Sequence, residues 1–240
     1  MAEVITFGEI MLRLQPYHYE RFVQTDRVSF TFGGGEANVA VSLANYEDSV
    51  AFVTKLPEHA IGQAAVNSLR RYGVETSLIV RGGNRIGLYY NEKGASQRPS
   101  VCIYDRTYSS MQEATCEDFD WDKIFAGAKW FHFTGITPAL GPNVAEICLE
   151  ACRKAKKKGL TVSCDLNYRG KLWTKEQAQA TMTQLCPYVD ICISNEEDAK
   201  DVFGIEAGHT DIVGGHLDRA GYASVAKQLA ERFPFRMVAI

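Results

Sequence analysis

The chain has no excess of either charge. Its 26 Lys and Arg face 29 Asp and Glu, a formal net charge of -3. Nucleic-acid binding normally shows as a basic excess, so nucleic acid is not an expected partner. No apolar run is long enough to span a bilayer, so no membrane association is expected. The opening Met1-Ala2-Glu3-Val4-Ile5 has no basic n-region and no cleavage site, so no signal peptide is expected. The seven cysteines are odd in number and contain no Cys-x-x-Cys. Several, such as Cys164 and Cys192, stand inside apolar strand-like runs. They read as buried, reduced thiols of a cytoplasmic protein rather than a disulfide framework.

What is present is an ordinary globular composition. A chain of 240 residues with 46% hydrophobic side chains can bury a full core without staples. Strand-like and helix-like segments alternate. Strands are expected over Val4–Gly8, Val50–Lys55, Trp130–Thr134, Leu160–Asp165, Val189–Ser194 and Arg236–Ile240. Helices are expected over Glu36–Asn45, Ile61–Tyr72, Pro142–Lys157, Lys175–Leu185, Glu196–Phe203 and Ser224–Arg232. Near-continuous apolar strands separated by helices predict an α/β fold, a mostly parallel sheet flanked by helices. Two stretches, about 13–31 and 86–105, break this rhythm and read as strands of a small antiparallel β flap. Ala207–Gly221, rich in Gly, His and Asp, reads as a surface loop.

Four segments carry chemistry, each with a plainer alternative. Phe32-Gly33-Gly34-Gly35-Glu36-Ala37-Asn38 is a glycine turn between a strand and a helix. Bare amides at a helix start can hold polar ligand atoms, and Asn38 can point back at them; a tight turn without a ligand is the alternative. It is neither the Gly-x-Gly-x-x-Gly dinucleotide fingerprint, which counts against a dehydrogenase, nor a Walker loop. Asp165-Leu166-Asn167-Tyr168-Arg169 ends a buried strand, and the Arg169 fork suits a carboxylate or phosphate. A strand-end Asp paired with Arg is the alternative. In the flap, Tyr89, Tyr104 and Arg106 can share one face and suit an acidic sugar, unless they form ordinary cross-strand pairs. Ser194-Asn195-Glu196-Glu197-Asp198 opens a helix, where acidic residues are expected from the dipole alone. Its functional reading is water-mediated handling of Mg²⁺.

Taken in this order, Phe7-Gly8-Glu9, Gly33–Asn38, Asp165–Arg169 and Asn195–Asp198 resemble the ribokinase-like (PfkB) sugar kinases over essentially the whole chain. Gly135-Ile136-Thr137-Pro138-Ala139-Leu140, and Asp165–Arg169 followed by Leu172-Trp173, look like the branch that acts on 2-keto-3-deoxygluconate. The resemblance implies a ribokinase-like domain over residues 1–240 with a β lid. It implies transfer of the ATP γ-phosphoryl group to a sugar acid with Mg²⁺. Gly34 and Asn38 would hold sugar hydroxyls. Tyr89, Tyr104 and Arg106 would be lid contacts, Ile136 would line the pocket, and Arg169 would meet the substrate carboxylate together with Arg106. Asn195 would face the nucleotide, and Asp198 the metal through water; the family usually has Glu at that last position. Self-association through the lid is also implied. The family continues beyond Ile240 with a Gly-Ala-Gly-Asp motif that carries the catalytic base, so a C-terminal part of the fold is expected to be missing and no catalytic residue is assigned here. The alternatives are a kinase of fructose, ribose or a nucleoside, and a non-catalytic sugar-acid-binding protein.

Overall fold

The computed structural model describes residues 2–206 and 219–240. They fall into two compact units, Ala2–Phe119 and Asp120–Ile240.

The N-terminal unit contains β1 (Val4–Phe7), β2 (Met11–Pro16), β3 (Val28–Gly33), α1 (Gly35–Asn45), β4 (Val50–Val53), β5 (Lys55–Leu56), α2 (Ala60–Arg70), β6 (Val80–Arg81), β7 (Leu88–Glu92) and β8 (Val101–Asp105). β1 and β4 pair in parallel from Val4↔Val50 to Phe7↔Val53. All four residues of β4 are buried, as an apolar strand covered on both faces requires. Phe52, Ala65, Val66 and Leu69 are buried in one cluster with Ile10, Leu12, Ala37 and Ala40. Each of the larger side chains among them contributes about 1.5–3 kcal/mol when fully buried, and each alanine less. The buried face of α1 is Glu36, Ala37 and Ala40; Val39 and Leu43 are only half-buried. Small alanines let the helix pack close, and that displaces the larger residues to its flank.

The two stretches that break the βα rhythm form a second sheet, in the order β3-β2-β7-β8. Its outer pairs, β2–β3 and β7–β8, are antiparallel. The central pair, β2–β7, is parallel, which the expectation of a purely antiparallel flap did not include.

The C-terminal unit contains α3 (Trp121–Ile124), β9 (Trp130–Thr134), α4 (Pro142–Lys157), β10 (Thr161–Asp165), α5 (Lys175–Leu185), β11 (Ile191–Ile193), α6 (Glu196–Phe203), α7 (Arg219–Arg232) and β12 (Met237–Ala239). β9, β10, β11 and β12 are successive parallel neighbours. Pro142 opens α4, where its missing N–H costs nothing. Val144, Ile147, Cys148, Ala151, Cys152 and Ala155 form its buried stripe at the spacing a core-facing helix requires. Gly159, at φ 78°, takes the left-handed turn just past its end. The basic end of this helix is paired as well as solvated: Lys154 Nζ meets Asp122 at 2.6 Å and Lys156 Nζ meets Asp190 at 2.7 Å. α7 begins at Arg219, so the expected loop stops short of Gly221; its residues 207–218 lie outside the described residues. No described helix is long and apolar enough to cross a membrane. None of the seven cysteines is disulfide-bonded, and five are buried.

Candidate functional site

In the N-terminal unit the flap register brings the aromatic residues together. Tyr104 pairs with Tyr89, and Tyr89 with Arg13, so all three side chains leave the same face. The tyrosine rings stack with centroids 6.0 Å apart. Arg106 lies one residue beyond β8, and its guanidinium sits 4.9 Å from the centroid of the Tyr104 ring, within cation–π range. A Cβ at Gly33 would lie 3.1 Å from the Tyr89 hydroxyl. The glycine turn, Tyr89, Tyr104 and Arg106 thus form one continuous row.

Gly34 is the N-cap of α1 in extended conformation. A Cβ there would meet the Glu9 carbonyl oxygen at 2.1 Å, so the position admits only glycine without backbone movement. Asn38 is exposed on the first turn of α1. With Gly33 it lines a cleft of about 260 Å³, walled by Ile10, Phe32, Leu69 and Tyr72. Tyr89, Tyr104 and Arg106 are not among that cleft's walls.

Behind the row lies a buried charged group that sequence reasoning passed over. Glu9, following β1, has a side chain only 4% exposed, and its Oε2 lies 3.4 Å from Arg106 Nη1. The Ser109 hydroxyl donates to Glu9 Oε1 at 2.6 Å. Burial pushes the Glu9 carboxyl above its ordinary range, against the pull of Arg106 and the Ser109 hydroxyl. Nearby Glu36 adds to the upward push, and its carboxylate occupies the space where a Cβ at Gly8 would be. Arg85 is held separately by Asp105, at 3.0 and 2.7 Å. The one sequence signal for Glu9 is its place in Phe7-Gly8-Glu9, which does not mark the side chain as buried.

In the C-terminal unit, register aligns the carboxyl ends of three strands: Asp165 pairs with Thr134 on one side and Ile193 on the other. The segments that follow are stitched together. Gly135 N donates to the Asp165 carbonyl at 2.8 Å, and Leu166 N to the Ile193 carbonyl at 2.9 Å. Ile136 is half-buried beside them. Its amide donates to the Thr134 hydroxyl at 3.1 Å. Asn167 turns the chain at φ 38° and donates to Asp165 Oδ2 at 3.3 Å. Arg169 is exposed. Burial holds the Asp165 and Asp198 carboxyls above the ordinary range, against hydrogen bonds from Asn167 and Tyr168 respectively and a smaller pull from the Arg169 charge.

Asn195 caps α6, accepting from the Asp198 amide at 2.7 Å. Asp198 Oδ1 accepts from the Tyr168 amide at 2.9 Å. Both side chains therefore have structural partners. Among the described residues no group of three or more His, Cys, Asp or Glu is placed to hold a metal ion. The described residues thus offer no protein cage for a metal ion.

The chain thus carries parallel strands whose carboxyl ends lead into polar loops, and a separate four-stranded sheet. The family model for the pfkB family carbohydrate kinases matches residues 1–240, and the chain belongs to this family. It is similar to the crystal structure of 2-dehydro-3-deoxygluconokinase from Thermotoga maritima, with 51% identity and a TM-score of 0.94, over 99% of this chain and 71% of that one. It is 36% identical to 2-dehydro-3-deoxygalactonokinase of Haloferax volcanii, over 85% of this chain and 64% of that protein. It is 29% identical to 2-dehydro-3-deoxygluconokinase of Bacillus subtilis, over 75% of this chain and 55% of that protein. The chain thus spans less than two thirds of either of these last two relatives.

Proposed function

We propose that this chain supplies the sugar-acid-holding part of an ATP-dependent kinase that phosphorylates 2-keto-3-deoxygluconate, the same compound as 2-dehydro-3-deoxygluconate. The observation that carries the reading is Arg106, held over Tyr104 beside Tyr89 and the glycine turn. A neutral sugar needs no cation there, whereas a carboxylate is met well by a guanidinium fork. The exposed Arg169, in the loop that follows β10, is the second proposed carboxylate contact. Gly34 and Asn38 are the proposed hydroxyl contacts, Tyr89 and Tyr104 the lid contacts, and Ile136 an apolar wall.

These residues bind and orient the acceptor, and exclude water that would otherwise compete for the phosphoryl group. None of them is offered as the catalytic base. Asn195 is the proposed nucleotide contact, acting alongside its capping role. Asp198 is the proposed partner of magnesium-bound water; the ion, when bound, neutralises charge on the phosphates. Self-association through the flap belongs to the same reading. Ile103, Tyr90, Leu14 and Phe30 form a row on the flap's other face, where Ile103 and Phe30 are 55% and 46% exposed.

The test is calorimetric binding of 2-keto-3-deoxygluconate against fructose and ribose, followed by a coupled assay of ADP formation. Tight binding of the sugar acid and none of the neutral sugars is expected; the reverse order removes the reading. The galactonate-derived epimer belongs in the panel, because the Haloferax volcanii relative carries that name.

A further inference from the structure

Arg106 is incompletely partnered. Its side chain is 11% exposed, yet Nε and Nη1 are buried with no hydrogen-bond partner. Glu9 Oε2 is in the same condition. The two groups lie 3.4 Å apart, close enough to hold each other as ions but not bonded donor to acceptor. Buried polar atoms are nearly always bonded, so unpartnered ones ask for a reason. Breaking a buried charge pair is costly, which keeps both groups in place.

The surroundings fix Glu9 firmly. Ser109 donates to Oε1 at 2.6 Å. A Cβ at Gly87 would come within 2.7 Å of the same oxygen, so the carboxylate sits in a slot that glycine leaves open. The other nearby cation, Arg85, is engaged with both oxygens of Asp105. Glu9 is therefore left to Arg106, and Arg106 keeps donor capacity for a second anion.

We infer that Glu9 is a positioning residue for the substrate carboxylate: anchored by Ser109, it holds the Arg106 guanidinium over Tyr104 with donors left over for the sugar acid. The inference rests on the sugar-acid reading given above. It adds a specificity device, because Glu9 offsets the arginine's charge without satisfying its donors. An anionic ligand completes the set, and a neutral one leaves Arg106 short.

The experiment compares wild type, Glu9→Gln, Glu9→Asp, Arg106→Ala and the Glu9→Gln/Arg106→Ala double variant in the full-length protein. The probe is 2-keto-3-deoxygluconate, read by calorimetry and by KM and kcat. Glu9→Gln keeps the acceptor for Ser109 and removes the charge. It is expected to raise KM for the sugar acid by about tenfold, the scale of one charge-assisted bond. The kcat and the KM for ATP should stay within about twofold, since only ground-state holding is lost. Glu9→Asp should recover part of the affinity. In the Arg106→Ala background Glu9→Gln should add nothing, because the effect passes through the guanidinium. An unchanged KM in Glu9→Gln, or an equal loss with and without Arg106, overturns the inference. If Glu9→Gln does not fold, Ser109→Ala decides: a rise of roughly threefold in KM supports the inference, and no rise overturns it. Wild type that binds no sugar acid removes the parent reading, and the inference with it. Wild type that binds, weakened by Arg106→Ala but not by Glu9→Gln, removes the inference alone.

Discussion

Asp198 accepts a hydrogen bond from the main-chain amide of Tyr168 across 30 residues of sequence, at 2.9 Å. It ties the loop that carries Arg169 to the first turn of α6. A bond to a charged acceptor contributes about 1.5–3 kcal/mol. Asp198→Ala should therefore lower the unfolding free energy by about 1–3 kcal/mol, and Asp198→Asn, which keeps a carbonyl acceptor, by less. Urea unfolding of the three proteins measures this. Equal stability of all three would mean that water replaces the bond.

Arg169→Ala separates binding from folding. The side chain is exposed, so the melting temperature should move little. Sugar-acid affinity should fall by about 1–3 kcal/mol, the scale of a lost charge-assisted bond. Calorimetry with the sugar acid and thermal melting of the same samples give both quantities. An unchanged affinity rules out the carboxylate contact at this residue.

Much of the C-terminal unit was legible in the sequence because its signals are local. Trp130–Thr134, Pro142–Lys157, Lys175–Leu185 and Glu196–Phe203 have the expected bounds. Each is set by period and by nearby caps: Pro142 at the start of α4, Thr174 before α5, Asn195 before α6. The short strands β5 and β6 were not legible, since two residues carry no period. That Tyr89 and Tyr104 can share a face was legible on the condition that their strands pair, whereas the register of β7–β8 and the parallel β2–β7 pair are long-range choices that alternation does not encode. Glu9 was legible only as part of a motif. A glutamate after a strand gives no sign that it will be buried; that follows from Gly34 and Gly87 packing against it, far along the chain.

Gly34→Ala tests the turn itself. The added methyl would meet the Glu9 carbonyl oxygen at 2.1 Å, and a main-chain atom cannot swing aside as a side-chain tip can. Overpacking of this kind costs about 1–3 kcal/mol. A loss of that size by urea unfolding is expected, with weaker sugar-acid binding because the turn carries Asn38. A variant of wild-type stability would mean that the turn shifts freely.

Thiol accessibility follows from burial. Cys148, Cys152, Cys164, Cys186 and Cys192 are buried, and Cys102 and Cys116 are half-buried. Burial pushes the Cys152 and Cys164 thiols far up and holds Cys192 at about 12, so the reactive thiolate is scarce there. An aromatic disulfide reagent at pH 8 should titrate no more than Cys102 and Cys116 quickly in the native protein, and all seven once it is unfolded. Fast reaction of a third thiol in the native state would contradict the packing of the C-terminal unit.

His132 gives the pH dependence of stability a definite sign. It is buried on β9, with Nδ1 2.9 Å from the Ser163 hydroxyl, which also accepts from Trp130 Nε1 at 2.8 Å. Burial pulls its pKa from 6.5 down to about 4, against a smaller upward pull from hydrogen bonding to Ser163. As pH falls below the unfolded value, the unfolded chain takes up a proton that the folded chain still refuses. The stabilisation is thus whole above the unfolded pKa and is lost progressively down to the folded one. The two values correspond to about 3 kcal/mol at most, at about 1.36 kcal/mol per pKa unit. His132→Asn removes the titrating group, so the difference in unfolding free energy between wild type and variant should change with pH only between those two values. A difference that stays flat across that window means that His132 is protonated in the folded protein as readily as in the unfolded chain.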